Sequence, residues 1–242
     1  LDRAAEAYRD ASAEVAPEVL VILKNKKPAE KFAQLRASSH AQAQFLWAIF
    51  RDIFHYVAVH LADIADNARD VDLAMRWGFG WAQGPFETWQ AAGWSAIATA
   101  LKDDIDAGRA MSNAPLPAWV FARDGVHGAD GSYGAAADAV RPRSQLPVYR
   151  RQIFPDRVLG ERAVAGETVW ENDGVRLWTL PAIDAEIAIA SVKSKNHTLG
   201  REVILGLQQA VARAEADFKG LVVWHEAPFA FGANLKEVSE AI

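Results

Sequence analysis

The sequence has no cysteine among its 242 residues, which removes disulfides, thiolate metal centres and cysteine nucleophiles together. That absence agrees with a reducing compartment, and the cytoplasm is the default expectation. No apolar run reaches the roughly 18 residues that a bilayer span needs, so membrane insertion is not expected. The amino terminus carries no basic, apolar and small-residue sequence of the secretory type. It opens on Leu1 rather than methionine, as a piece of a longer protein or a processed chain would. An excess of basic residues is lacking too. Net charge is -5 and the pI near 5.7, which does not advertise nucleic acid, although a local basic patch for a phosphorylated ligand is compatible with it. What is present is 51% hydrophobic and 24% charged, the composition of a soluble globular protein of one large or two small domains.

Residues 1–40 are rich in Ala, Glu and Lys, and Pro17 and Pro28 cut them into short helices. From Phe45 the residues Leu46, Ile49, Phe50, Ile53, Val57, Leu61 and Ile64 recur at intervals of three and four, which predicts a helix with one apolar stripe. It is expected to stop near Ala68, with Asp70 capping a second helix that carries Val71, Leu73, Ala74 and Trp77 and ends at Gly78. Pro85 suits the first turn of the next helix, expected to reach Gly93, and Trp94 to about Gly108 reads as one more. Pro115, Pro117, Pro142, Pro147 and Pro155 then mark a Pro, Gly and Arg-rich stretch, where the domain junction is expected. Beyond it the pattern turns to strands at 168–172, 175–180 and 186–192, the first two joined by Asp173-Gly174. A helix from Leu199 to Ala216, a strand from Leu221 to Trp224 and a last helix from Asn234 complete an α/β unit with a parallel pairing.

Asp70-Val71-Asp72-Leu73-Ala74-Met75-Arg76-Trp77-Gly78-Phe79-Gly80, followed by Gly84-Pro85-Phe86-Glu87 and Gly93, resembles the C-terminal domain of the 3-hydroxyacyl-CoA dehydrogenase family over about 45–105. The resemblance implies a helical domain that dimerises and closes over the acyl chain. Hydride transfer to NAD would belong to a Rossmann domain elsewhere in the parent protein. No Gly-x-Gly-x-x-Gly after a strand opens a helix in this chain, and Gly78-x-Gly80-x-x-x-Gly84 has the wrong spacing and follows a helix, so NAD is not expected to bind here.

The stretch from Phe218 to Glu237, with Phe231-Gly232-Ala233-Asn234-Leu235-Lys236-Glu237 at its end, is similar to the crotonase (enoyl-CoA hydratase/isomerase) segment in which a core strand leads to a Gly-Ala-Asp loop and helix. By this resemblance Ala233 supplies a backbone N–H to an oxyanion hole, a role that a small residue at a helix start suits physically. The same resemblance places Phe229, Phe231, Gly232, Asn234 and Leu235 against a coenzyme A thioester. Asn234 stands where the family has aspartate, and Phe231 where it has a smaller residue. Ile187 to Leu199, with Lys193, Lys195, Asn196 and Thr198, is similar to the family's first core strand and its turn near the CoA phosphates. The second oxyanion N–H and the paired glutamates of that family belong to later segments.

The expected fold is therefore mixed. Residues 1–112 form an all-α dehydrogenase C-terminal-like domain, 113–166 a Pro/Gly-rich linker, and 167–242 the truncated first part of an α/β crotonase-like unit. The parent would oxidise 3-hydroxyacyl-CoA with NAD and hydrate 2-enoyl-CoA in fatty-acid β-oxidation, as a homodimer, and this piece alone would be inactive. The other reading is a non-catalytic dimerisation and assembly module.

Other clusters read as structure. His55 and His60, near Asp52, Asp63 and Asp66, are five residues apart and point to different faces, so no metal site is expected. Lys24, Lys26, Lys27 and Lys31 read as a solvated run, Glu237 and Glu240 as a solvated helix face, and His225-Glu226 as a surface turn. Ser191, Ser194 and His197 lack a hydrolase motif. Most of the nine tryptophans fall within apolar patterns and are expected in cores or domain interfaces.

Overall fold

The computed structural model describes residues 6, 8, 14–150, 152, 155–162, 165–225 and 229–240. The chain divides into two compact units, Leu1–Ala163 and Val164–Ile242, and helices and strands are both present.

The first unit is mainly helical. Pro17 and Pro28 stand at the starts of α1 (Pro17–Lys24) and α2 (Pro28–Ala37), where a missing N–H costs nothing, so each begins a helix. The long helix α3 (Ala41–Ile64) starts at His40, whose Nδ1 accepts from Gln42 N at 3.1 Å. Its apolar surface is wider than the one stripe read from the sequence. Trp47, Phe54, Val57, Ala58 and Leu61 are buried, whereas Phe45, Ile49 and Ile64 stay exposed. The reason is packing on several sides, because α3 touches α2, α4 (Ala68–Phe79) and α5 (Pro85–Ala91) at once. By length and composition α3 could cross a bilayer, yet Arg51, Asp52 and His55 lie midway along it and Arg51 and His55 are buried within the unit.

The cap of α4 is Asn67, whose side chain accepts from Arg69 N at 2.9 Å, and Asp70 lies one turn inside, where a carboxylate favours the helix dipole. The helix runs through Gly78 and ends at Gly80, which takes the left-handed conformation at φ +69°. Both ends thus fall outside the expected 70–78, since asparagine caps as well as aspartate and a helical glycine need not stop a helix. Helices α5 and α6 (Trp94–Asp106) lie where the sequence placed them.

Residues 113–162 differ from the expected linker. They carry an antiparallel sheet of β1 (His127–Gly128), β2 (Gly131–Gly134) and β3 (Ala139–Arg141), then α7 (Pro147–Arg150). Val120, Val126 and Tyr133 are buried in the same core as the helices. The glycines here serve close packing, not slack: a Cβ on Gly131 would overlap the backbone of Arg141. Aromatic rings fill the centre. Phe54 stacks on Trp89 at 5.5 Å, Trp89 on Trp94 at 4.1 Å, and Trp119 meets Tyr133 at 5.0 Å. The buried indoles are satisfied, Trp89 Nε1 donating to the Trp94 carbonyl at 3.0 Å and Trp94 Nε1 to that of Val120 at 2.8 Å.

The second unit is a sheet in the order β4 (Glu167–Glu171), β5 (Val175–Leu180), β6 (Asp184–Val192) and β7 (Gly220–Val223), with α8 (Arg201–Asp217) on one face and α9 (Leu235–Glu240) following β7. The Asp173-Gly174 hairpin forms as read, Asn172 Oδ1 accepting from Gly174 N at 2.9 Å and Val175 N at 2.7 Å. The sheet is antiparallel up to β6, and β6 and β7 are parallel, Ile187 opposite Gly220 and Ala190 opposite Val223. Val175, Leu177, Ala188, Ala190 and Val192 meet Val203, Ala210 and Ala214 of α8 to form its core.

Candidate functional sites

In the first unit an apolar groove of about 950 Å³ runs along α3 and α4. Phe45, Ile49, Ile53 and Tyr56 line one wall and Val71, Ala74 and Met75 the other, with Pro85 and Met111 closing it. Asp52 and Asp70 are its carboxylates. Burial and the neighbouring Asp66 charge push the Asp70 carboxyl above its ordinary range. The exposed half of the stripe predicted on α3 is thus a groove wall.

Beneath α4 lies a buried polar cluster that the sequence reading did not single out. Asp72 is fully buried on α4, and its two oxygens accept from Phe86 N and Glu87 N, both at 2.8 Å, so it caps α5 from a neighbouring helix. The same carboxylate meets His127 Nε2 at 2.7 Å, and His127 Nδ1 meets Ser132 Oγ at 2.8 Å. The order Asp-His-Ser is that of a catalytic triad, but the ring nitrogens are exchanged, the carboxylate on Nε2 and the hydroxyl on Nδ1, and His127 and Ser132 are buried as well. The work of this cluster is to tie α4, α5 and the β1–β2 hairpin together. Gln90 adds to it, Oε1 accepting from Val126 N and His127 N while Nε2 donates to the His127 carbonyl. Glu87 accepts from Gly84 N at 2.9 Å and from Leu159 N at 3.0 Å. The Asp70–Glu87 segment gave the signal in its residues; what was not legible was that Asp72 points at the helix start thirteen residues on.

A Cβ at Gly84 would lie 2.3 Å from Asp72, so this glycine serves close packing against α4, whereas Gly78 and Gly80 have nothing within 4 Å. His55 Nε2 donates to the Ala114 carbonyl at 2.7 Å and His60 faces Asp63, so the two histidines serve separate contacts.

In the second unit Ala233 is exposed and pairs with Leu199 in a parallel bridge. Gly232 O accepts from Leu199 N at 2.8 Å and Asn234 N donates to Leu199 O at 3.0 Å. The Ala233 N–H lies between these two bonds and, among the described residues, donates to no backbone acceptor. Phe231 N donates to Asn196 O at 3.3 Å, which brings the 193–199 turn and the 229–235 loop together. Asn196 and His197 there both take positive φ, 55° and 52°. Phe231 is 65% exposed, Leu235 78% and Phe229 63%, and the Phe229 ring stacks on His225 at 4.7 Å. Lys193 is tied down, its Nζ donating to the Asn172 carbonyl at 2.7 Å and meeting Glu171 at 3.1 Å. Lys195 lies on the exposed turn. Glu226, Ala227 and Pro228 of the quoted segment lie outside the described residues.

Glu237 is more than a solvated face. Its Oε2 accepts from Arg201 N at 2.7 Å, capping α8, and its Oε1 from Asn234 Nδ2 at 2.7 Å. One carboxylate therefore fixes the loop that carries Ala233 to the start of α8. Ser191 and Ser194 are engaged locally, Ser191 with Trp178 Nε1 at 2.9 Å and Ser194 with the Thr198 carbonyl at 2.6 Å.

Two curated proteins are similar to this chain. A "Probable 3-hydroxyacyl-CoA dehydrogenase" of Bacillus subtilis (strain 168) is 26% identical over 210 residues, 85% of this chain and 25% of that protein. A "Putative fatty acid oxidation complex trifunctional enzyme" of Rickettsia felis is 24% identical over 207 residues, 84% of this chain and 24% of that protein. The chain thus spans about a quarter of the length of the curated relatives it matches. Each match leaves less of the chain uncovered than the second unit contains, so each reaches into both units. No family model matches the chain, and no solved structure matches it.

Proposed function

We propose that this chain is the acyl-CoA-binding part of a larger fatty-acid β-oxidation enzyme, one that oxidises 3-hydroxyacyl-CoA with NAD and hydrates 2-enoyl-CoA. In this reading the first unit is a dehydrogenase C-terminal domain, and the second is the opening part of a crotonase-like unit. The observation that carries it is the apolar groove on α3 and α4, which lies on the segment that resembles the dehydrogenase family. The two relatives, each matched across both units, support the same order of parts in one protein.

The chemistry this chain would bring is binding and polarisation. The groove takes up the acyl chain and excludes water from it. The Ala233 N–H, with its neighbours already paired, donates to the thioester oxygen and stabilises negative charge there. Dinucleotide binding is assigned to residues outside this chain.

Calorimetric titration with acyl-CoA esters of increasing length tests this. Each methylene buried contributes about 0.8 kcal/mol, so two further carbons should tighten binding about tenfold until the groove is full. Affinity independent of chain length, or NAD binding to this chain, would contradict the reading.

A second reading, homodimerisation, is favoured by the exposure of Phe45 at 65% and Met111 at 89% on the same groove. Sedimentation separates the two. A dimer that acyl-CoA leaves intact fits assembly through the groove, and a monomer that binds acyl-CoA fits the acyl reading.

A further inference from the structure

A second, polar pocket of about 480 Å³ in the first unit belongs to none of the sites above apart from Asp70 and Ala74 at its border. Arg69, Asp70, Leu73 and Trp77 of α4 form one side, and Arg141, Arg143, Ser144 and Tyr149 the other. Arg69 is already committed, its Nε donating to Glu161 at 2.7 Å and its Nη2 to the Asp156 carbonyl at 2.5 Å. Arg141 makes no ion pair among the described residues, and Arg143 Nη2 is buried without any hydrogen-bond partner. A buried cationic donor with no acceptor is costly, and a structure retains one where something else supplies the acceptor. Burial, and after it the Arg69 charge, push the Arg143 guanidinium below its ordinary range, against the opposing charges of Glu161 and Asp156.

We propose that this pocket binds a small phosphate monoester, its phosphate on Arg143 and Arg141 and its hydroxyl-bearing body toward Asp66 and Asp70. Two guanidiniums give the planar, multidentate donors that phosphate oxygens accept. The opposite wall is not a bare anion. Asn67 Nδ2 donates to Asp70 at 2.9 Å, and the two carboxylates accept hydrogen bonds from hydroxyls, which inorganic phosphate at neutral pH offers poorly. Trp77 and Leu73 provide apolar faces for a ring between the two ends. The site does not depend on the acyl-CoA reading, because Arg141 and Arg143 lie outside the groove and the ligand group is different; Asp70 borders both.

The test is calorimetry on the intact chain with ribose 5-phosphate, inorganic phosphate and ribose as probes. Saturable binding of ribose 5-phosphate is expected, tighter than that of phosphate, with none for ribose. Losing one charge-assisted contact should weaken the ester about ten- to a hundredfold in Arg143→Gln. Because Arg143 is partly buried, Arg141→Gln, at an exposed position, gives the same test without risk to folding, and Asp70→Asn should remove the advantage of the ester over phosphate. No saturable binding of either phosphate compound overturns the proposal. So does equal affinity for ester and phosphate, or affinity unchanged in both arginine variants while circular dichroism shows them folded.

Discussion

Asp72 and His127 meet at 2.7 Å with both side chains sealed from solvent, and the same carboxylate receives the first free N–H groups of α5. Helix α5 has only seven residues, too short to persist by itself, so it depends on this cap and on Glu87 within it. Asp72→Asn retains one acceptor oxygen for three donors and should lower stability by about 2–3 kcal/mol, read as the urea midpoint of the first unit. A change below about 0.5 kcal/mol would show that the cluster is dispensable.

The two faces of α3 should separate under mutation. Phe54 is fully buried and stacked on Trp89, so Phe54→Ala should cost about 3–5 kcal/mol. Ile49 is 41% exposed on the groove wall, and Ile49→Glu should leave the melting temperature nearly unchanged while weakening long-chain acyl-CoA binding about tenfold or more. Unaltered acyl-CoA affinity in a folded Ile49→Glu chain would remove the groove from the binding role.

Acid should destabilise the first unit through Asp104. Burial by itself would raise this carboxyl, but hydrogen bonds from Arg109 and Trp47 and the Arg109 and Arg51 charges outweigh it and hold the group below its ordinary 3.8. A depressed folded value means that the contribution is complete above the unfolded value and is lost as pH falls through the folded one. Melting temperature should therefore drop below about pH 4, and Asp104→Asn should flatten that part of the profile while costing about 3 kcal/mol at neutral pH. A profile of the same shape in the variant would place the acid sensitivity elsewhere.

Glu237→Ala should loosen the second unit by about 1 kcal/mol, the worth of one helix cap. It should also speed amide exchange at Leu199 and Asn234, whose N–H groups join the loop to the start of α8, since the carboxylate holds Asn234 and α8 together. Glu237→Gln keeps one acceptor and should fall between. Exchange at Leu199 and Asn234 as slow in the Ala variant as in the parent chain would separate the loop from this contact.

Periodicity, proline and glycine made the helices and the Asp173-Gly174 hairpin legible, because these depend on neighbours in the sequence. The α3 groove was half legible: its residues stood in the stripe, but which of them met solvent depended on how many helices α3 packs against. Residues 113–162 misled, since Pro and Gly mark tight turns in a packed hairpin as readily as they mark a linker. Polar contacts across long separations, such as Asp72 with His127 or Arg201 with Glu237, leave no periodic trace and appear only when the chain is folded. The Leu199 to Ala233 bridge, which joins 193–199 to 229–235, is another contact across a long separation that the sequence pattern does not show.

Among the described residues strand β7 is paired on one side only, and its partner β6 is separated from it along the chain by the whole of α8. The three strands before it are joined by short turns and can zip locally, whereas β7 must wait for α8 to dock before it finds its register. Its amides should therefore gain protection last during folding and lose it first under mild denaturant, making β7 the soft edge of an otherwise cooperative sheet.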